Sequence, residues 1–160
     1  MKPLARSRRG FTLIEMLVVL AIVAMLVGVA RPVLELSVQR TQEYALRSAL
    51  RTLRGAIDAY KHAADEGRIA RAADASGYPP DLASLVKGVK DVRSPDGSMI
   101  YFLRSLPRDP FADPGQPAEQ TWAPRAYDSP PDAPRPGRDV FDVHSQSERR
   151  AIDGSFYKDW

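Results

Sequence analysis

GFTLIEMLVVLAIVAMLVGVARP, residues 10–32, contains an apolar run from Phe11 to Ala30 in which Glu15 is the one charged side chain. At about 1.5 Å per residue, a helix over this run is about 30 Å long, which matches the hydrocarbon thickness of a bilayer. We therefore expect a transmembrane helix over residues 11–32. A carboxylate at the centre of such a helix costs about 2.5 to 3.5 kcal/mol on insertion scales, so Glu15 is predicted to have a partner or a function.

The basic charge of the chain is concentrated before this run, in residues 1–10. Four of the 23 Lys and Arg lie there, which leaves 19 against 20 acids in the rest of the chain. A nucleic-acid partner is not expected, because it would need a basic patch on the folded part. The positive-inside rule places the N-terminus in the cytoplasm and everything after Pro32 across the membrane. The chain has no cysteine, which excludes disulfides and thiolate metal sites.

A second apolar pattern follows in residues 33–66. Apolar residues recur there at steps of 4, 3, 4 and 3, on one face of a helix: Leu46, Leu50, Leu53, Ile57 and Tyr60. Gly67 is predicted to end this helix, which would be about 80 Å long from Phe11. Three arginines lie off the apolar face, and we expect them to be solvated or to meet acids of a neighbouring subunit: Arg47, Arg51 and Arg54.

The remaining residues, 67–160, differ in composition, since 12 of the 14 prolines lie from Pro79 onward. This disfavours long helices. One short helix is predicted in YPPDLASLVKG (78–88), with Asp81 as N-cap and Gly88 at its end. Strands are predicted in SMIYFLRSL (98–106), TWAPRAYD (121–128), DVFDVHS (139–145) and SFYKDW (155–160). The expected fold class is α+β, with one long N-terminal helix packed on a small antiparallel C-terminal sheet.

The stretch RRGFTLIEMLVVLAIVAML (8–26) resembles the leader and N-terminal helix of type IV prepilins. It has a short basic leader ending in Gly10, then Phe11, then Glu15 at the fifth position after the junction, and Pro32 also fits that family. The resemblance implies that a prepilin peptidase cleaves between Gly10 and Phe11. It further implies N-methylation of Phe11 and assembly of the helices into the core of a filament.

Two later segments, YPPDLASLV (78–86) and LRSLPRDPF (103–111), resemble the major pseudopilin of the type II secretion system, as does the C-terminal part ending in Trp160. This implies a pilin-like, non-enzymatic subunit of a periplasmic pseudopilus. Its expected place is the inner membrane, with a single span, a cytoplasmic N-terminus and a periplasmic head over residues 67–160. The implied partners are further copies of the chain, other pseudopilins, the prepilin peptidase and the inner-membrane secretion machinery.

The physical chemistry of Glu15 suits a role in assembly. Cleavage after Gly10 would create an ammonium at Phe11, and opposite charges interact strongly near an apolar environment. Within one helix, Phe11 and Glu15 are about 6 Å apart along the axis, so a displaced neighbour could place its ammonium beside Glu15. Such a pair would act mainly on the register of assembly. The alternative is that Glu15 only interacts with the dipole of the helix N-terminus.

A possible calcium site lies in DVHSQSERRAIDG (142–154), where major pseudopilins hold a calcium ion in a loop. Calcium prefers carboxylate and carbonyl oxygens, and the resemblance points to Ser147, Glu148 and Asp153 as ligands. The loop is shorter than the usual family form and contains Arg149 and Arg150, which would repel a cation. The alternative is a loop in which Glu148 or Asp153 pairs with these arginines.

Asp142 and His144 are two residues apart, which would place both on the same side of a strand. A metal or catalytic pair could be built in this way, but no third ligand or nucleophile accompanies them in a recognisable setting. We therefore expect a solvated strand face.

Two other functions share part of this evidence. A subunit of a type IV pilus or of a competence filament would have the same N-terminal features. A secreted or periplasmic binding or enzymatic domain could use Gly28-Val29-Ala30 as a signal-peptide cleavage site. Its apolar run would, however, be longer than the usual 7 to 15 residues of a signal peptide, and it would contain Glu15.

Overall fold

The computed structural model describes residues 10–160, without the side chains of residues 29–33. Apart from Gly10, the predicted leader lies outside the described residues. Helix α1 covers Leu13–Asp65 and helix α2 covers Ala83–Lys87. The strands are β1 (Val89–Lys90), β2 (Met99–Ile100), β3 (Trp122–Arg125) and β4 (Asp142–Ser145), and 3-10 helices cover Ala118–Thr121 and Tyr157–Asp159. The predicted α+β class is confirmed.

The chain divides into two compact units, and the boundary falls inside α1 between Val38 and Gln39. The described part of the first unit consists of the part of α1 up to Val38 and the three residues before the helix. Within the described part of the chain, no helix combines the length and apolar character needed to cross a membrane. The predicted span over residues 11–32 is therefore not confirmed, and it includes residues 29–32, whose side chains lie outside the description.

The second unit has its hydrophobic core on the predicted face of α1. All five residues of the stripe are buried: Leu46, Leu50, Leu53, Ile57 and Tyr60. They pack in one cluster with residues from the later part of the chain, including Trp122, Val143 and Tyr157. Burying one such side chain contributes about 1.5 to 3 kcal/mol, so this face holds the head against the helix. The predicted packing of the head on the second half of the helix is confirmed.

Helix α1 ends close to the predicted position. The Gly67 N–H donates to the Ala64 carbonyl at 3.0 Å, and the Arg68 N–H donates to the Ala63 carbonyl at 3.0 Å. Gly67 has φ +70°, a left-handed conformation in which glycine has no steric penalty. Arg68 then donates two hydrogen bonds to Asp91, which is 7% exposed, and so ties the end of the helix to the residue after β1.

Helix α2 forms where it was predicted, but its N-cap residue is Leu82, and the predicted N-cap Asp81 lies one residue earlier. Asp81 Oδ1 accepts a hydrogen bond from the Ser84 N–H at 2.7 Å, as a capping side chain does. Gly88 follows the last helical residue with φ +79°. A Cβ at this position would lie 2.8 Å from the ring of Tyr101, so a larger residue would strain both the backbone and the packing.

Over residues 10–160 the β structure is smaller than predicted and forms two separate antiparallel pairs, β1 with β2 and β3 with β4. In the second pair, Trp122 lies opposite Ser145 and Arg125 lies opposite Asp142. The prediction of a strand over residues 155–160 is wrong. Phe156 makes one isolated bridge with Arg150, and the chain then turns into the 3-10 helix at Tyr157, whose N–H donates to the Arg149 carbonyl.

The segment LRSLPRDPF forms part of the core. The Trp122 indole N–H donates to the Pro107 carbonyl at 2.9 Å, and Phe111 stacks on Tyr157 with ring centroids 4.0 Å apart. The buried Asp109 accepts hydrogen bonds from the Ser145 hydroxyl and the Phe111 N–H. A buried carboxylate needs such donors, so this segment has a structural role that links it to β4.

Candidate functional site

The predicted cleavage point lies in exposed, non-helical backbone. Gly10 and Phe11 precede the first helical residue, Leu13, and the Phe11 side chain is 76% exposed. A Cβ built on Gly10 would meet no atom within 4 Å, so the folded chain does not crowd this position. Proteolysis needs backbone that is accessible and not held in a helix. The local structure at Gly10-Phe11 meets this requirement.

Thr12 caps the start of α1. Its side-chain Oγ1 accepts a hydrogen bond from the Glu15 N–H at 3.3 Å, and its carbonyl accepts one from the Met16 N–H at 3.2 Å. Our sequence analysis missed this residue, although the spacing Thr12-x-x-Glu15 is a signal for a helix start. The cap fixes where the helix begins and therefore leaves Phe11 just outside it.

Glu15 lies in the first turn of α1 and is exposed. Among residues 10–160, no hydrogen bond or ion pair to its carboxylate is seen, although its N–H is bonded to Thr12. A negative charge at this position interacts favourably with the positive end of the helix dipole, by about 0.3 to 1 kcal/mol at an exposed site.

The helix around Glu15 exposes apolar side chains on all sides. Every large apolar side chain from Phe11 to Val27 is at least 50% exposed. Consecutive apolar residues such as those at 16–20 cover the full circumference of a helix. Exposed apolar patches larger than a few hundred Å² are rare on soluble monomers and mark contact with protein or membrane. This part of α1 therefore has the surface of a helix that contacts protein or lipid.

The residues predicted to bind calcium are placed in the last part of the chain. Ser147 Oγ accepts a hydrogen bond from the Arg149 N–H, and Glu148 is exposed. Asp153 Oδ1 accepts hydrogen bonds from the Ser155 N–H at 2.9 Å and the Ser155 hydroxyl at 2.6 Å. These bonds lower the pKa of Asp153 below its usual value, and the positive charge of Arg47 acts in the same direction.

This arrangement does not fit a calcium ion. Calcium takes six to eight oxygen ligands, usually with several carboxylates. The second oxygen of Asp153 lies 3.6 Å from the Arg47 guanidinium, a cation that would repel calcium. Within the described residues, no group of three or more His, Cys, Asp or Glu could hold a metal ion. The alternative, a pairing of Asp153 with an arginine, is seen, but the partner is Arg47 of α1 instead of Arg149 or Arg150.

The prediction that the arginine face of α1 is solvated or meets another subunit is wrong for Arg54, whereas Arg47 is exposed but also meets an acid of its own chain. Arg54 donates from Nε to Asp142 Oδ1 at 2.7 Å, so Asp142 does not form a solvated strand face. Arg47 contacts Asp153 and lies over the ring of Trp160. Arg51 is exposed, and no contact is seen for it among the described residues.

Comparison with known proteins adds one finding. Residues 5–30 match the prokaryotic N-terminal methylation motif. This match supports a type IV pilin-like subunit and implies processing by a prepilin peptidase and assembly with other pilin-like subunits. It covers Gly10, Phe11 and Glu15 together with most of the exposed apolar helix. Neither the curated proteins nor the solved structures give a match to this chain.

Proposed function

We propose that this chain is a structural subunit of the periplasmic pseudopilus of a type II secretion system. It is held in the inner membrane by α1, with its N-terminus in the cytoplasm and its head in the periplasm. The prepilin peptidase cleaves it between Gly10 and Phe11 and methylates the new amine of Phe11. The observation that carries the proposal is the coincidence of the methylation motif with the apolar run 11–30 of α1, which exposes apolar side chains on all sides and has Glu15 as its one carboxylate.

In this proposal, Glu15 selects the register of assembly. Before assembly its carboxylate lacks a partner among residues 10–160, and afterwards it pairs with the ammonium of Phe11 on a neighbouring subunit. Two unit charges 4 Å apart interact by about 4 kcal/mol at an effective dielectric constant of 20, but desolvation offsets much of this gain. The pair therefore stabilises one axial offset between helices more than it stabilises the filament as a whole.

The apolar helix has two environments in succession. Before assembly its exposed side chains contact lipid, and in the filament they contact the same helices of neighbouring subunits. Lipid tails are as apolar as leucine side chains, so moving the helix from lipid to filament gains little from apolar burial itself. Packing and the Glu15 pair then determine where each subunit is added.

The test is Glu15→Leu in the full chain, expressed in cells that assemble the filament. We expect the variant to insert in the membrane and to be cleaved at Gly10, but to form no filaments. The matched control is Glu35→Leu, which removes another exposed acid of the same helix and leaves Glu15 in place. Filaments of normal length from Glu15→Leu would contradict the proposal.

The assignment to secretion, as opposed to a type IV pilus or a competence filament, is supported by the resemblance of YPPDLASLV and LRSLPRDPF to major pseudopilins. It is tested by deleting the gene and measuring export of proteins to the medium. We expect export to stop while surface pili and DNA uptake are unchanged, and the reverse outcome would assign the chain to a pilus. A secretion ATPase, a secretin and other pseudopilins among the flanking genes would agree with the first outcome.

A further inference from the structure

The C-terminal segment, residues 149–160, is bound to one row of polar side chains on α1. We call this row the clamp, and its members are Gln39, Glu43, Arg47 and Arg54. All of these residues lie in the second compact unit, Gln39–Trp160. The first three are spaced four residues apart, so they lie on one side of the helix.

Glu43 is the central acceptor of the clamp. Its Oε1 accepts hydrogen bonds from the Ile152 N–H at 2.8 Å and from the Tyr157 hydroxyl at 2.9 Å. Gln39 donates from Nε2 to the Tyr157 hydroxyl at 2.9 Å and to the Arg150 carbonyl at 3.1 Å. Burial raises the pKa of Tyr157, so its hydroxyl stays protonated and continues to donate to Glu43. A half-buried carboxylate with two donors from one loop fixes that loop in place.

Two arginines extend the contact to the end of the segment. The guanidinium of Arg47 lies 4.2 Å from the ring centroid of Trp160 and 3.6 Å from Asp153 Oδ2. Arg54 donates to the Trp160 carbonyl at 2.9 Å and to the Val143 carbonyl at 3.2 Å. Its third bond, to Asp142, joins the same helix position to β4. Backbone and side chains of the segment are therefore held at several points along the helix.

We propose that the clamp fixes the C-terminal segment without a divalent cation, with Glu43 supplying the negative charge and Arg47 the positive charge that the segment needs. Asp153 is the acid of the segment best placed to hold a cation, but its two oxygens are used by Ser155 and by Arg47. A divalent ion would have to displace the guanidinium and would then lie beside a like charge. The segment is thus fastened to the helix by hydrogen bonds, and calcium is not required for its order.

The experiment is hydrogen exchange of the full chain in detergent micelles, followed by mass spectrometry of peptides from residues 149–160. It is run with a chelator and with calcium at about 10 mM, above the range in which weak extracellular sites bind. We expect the same protection in both conditions. Higher protection or a higher melting temperature with calcium would overturn the proposal.

The variant that tests the clamp is Glu43→Ala, and the matched control is Glu35→Ala on the exposed part of the same helix. Loss of a charged acceptor should speed exchange in residues 149–160 by about tenfold or more, whereas the control should leave it unchanged. Unchanged exchange in Glu43→Ala would contradict the proposal.

If Glu43→Ala does not fold, Glu43→Gln serves instead, because it keeps the size and one acceptor oxygen and removes the charge. We expect it to give a smaller increase in exchange in the same peptides, again with no response to calcium. Exchange as slow as in the parent chain, or protection restored by calcium, would count against the clamp.

Discussion

The two parts of α1 differ in where their apolar residues find partners. From Phe11 to Val27, every large apolar side chain is at least half exposed, whereas Leu46, Leu53 and Ile57 are fully buried. The first part is apolar on all sides, and the second is apolar along one stripe. A stripe can be covered by a small head from the same chain, but a fully apolar helix needs neighbours all around it. One helix therefore combines a folded scaffold with a surface for lipid or for other subunits.

The largest expected effect comes from truncating a buried side chain of the second part, and it is compared with the truncation of an exposed side chain of the first part. Leu53→Ala should lower the free energy of unfolding by about 2 to 5 kcal/mol, because it leaves a cavity in the core. Leu17→Ala, at a side chain that is 55% exposed, should change it by less than about 0.5 kcal/mol. The measurement is denaturant unfolding of the full chain in detergent, and tryptophan fluorescence reports the fraction unfolded. Equal effects of the two substitutions would remove the distinction between the two parts.

A smaller effect is expected from the arginines of the second part. Arg54→Ala removes bonds to Asp142, Val143 and Trp160 and should cost about 1 kcal/mol, since the side chain is partly solvated. The control Arg51→Ala should stay within about 0.5 kcal/mol. Both are measured by the same unfolding experiment. A cost for Arg51→Ala as large as that for Arg54→Ala would show that general charge, and not these contacts, stabilises the head.

Removing the N-cap side chain of Thr12 should affect stability only near the start of α1. Thr12→Ala should destabilise the first turn by about 1 kcal/mol, because the Glu15 N–H loses its acceptor. Hydrogen exchange in the peptide that begins at Phe11 should speed up, while exchange in the head stays the same. Thr12→Ser, which keeps the hydroxyl, is the control and should behave like the parent chain. Exchange in the head that speeds up as much as in this peptide would contradict a local role for Thr12.

The smallest effect is expected at Asp91, whose carboxylate is paired with Arg68. Hydrogen bonds from Arg68 lower the pKa of Asp91 below its usual value of 3.8. Its contribution to stability is therefore complete above that value and is lost as the pH falls through the lower pKa of the folded state. In unfolding measured across this acidic range, Asp91→Asn should reduce the loss of stability on acidification, and Glu15→Gln should leave the head unaffected. Identical pH profiles for Asp91→Asn and the parent chain would contradict this role.

Local patterns predicted the helix and its buried face, because a period of 3.6 residues is visible in the sequence itself. The ends of α1 and α2 were also predictable, since Gly67 and Gly88 adopt the left-handed conformations that glycine permits. The strands were overestimated. Apolar alternation in SFYKDW is a local signal, but the backbone there follows long-range bonds such as that of Tyr157 to Glu43, which are 114 residues apart.

The candidate site shows the same limit. Gly10, Phe11 and Glu15 could be predicted as site residues because the basic leader, the Gly10-Phe11 junction and the carboxylate lie within a few residues of one another, directly before a long apolar run. The partners of Arg47 and Arg54 were not found, because Asp153 and Asp142 come from far along the chain. A charged helix face looks the same in sequence whether it is solvated or bound to another segment.

Mass spectrometry of the mature protein from its native cell gives the clearest test of whether α1 is processed for assembly. We expect the chain to begin at Phe11 and to carry one methyl group on the amine, as the methylation motif over residues 5–30 implies. A mature chain that begins at Arg31 would show that the apolar run is a signal peptide. A chain that keeps its leader would show that no prepilin peptidase acts on it, and either result would contradict the proposed function.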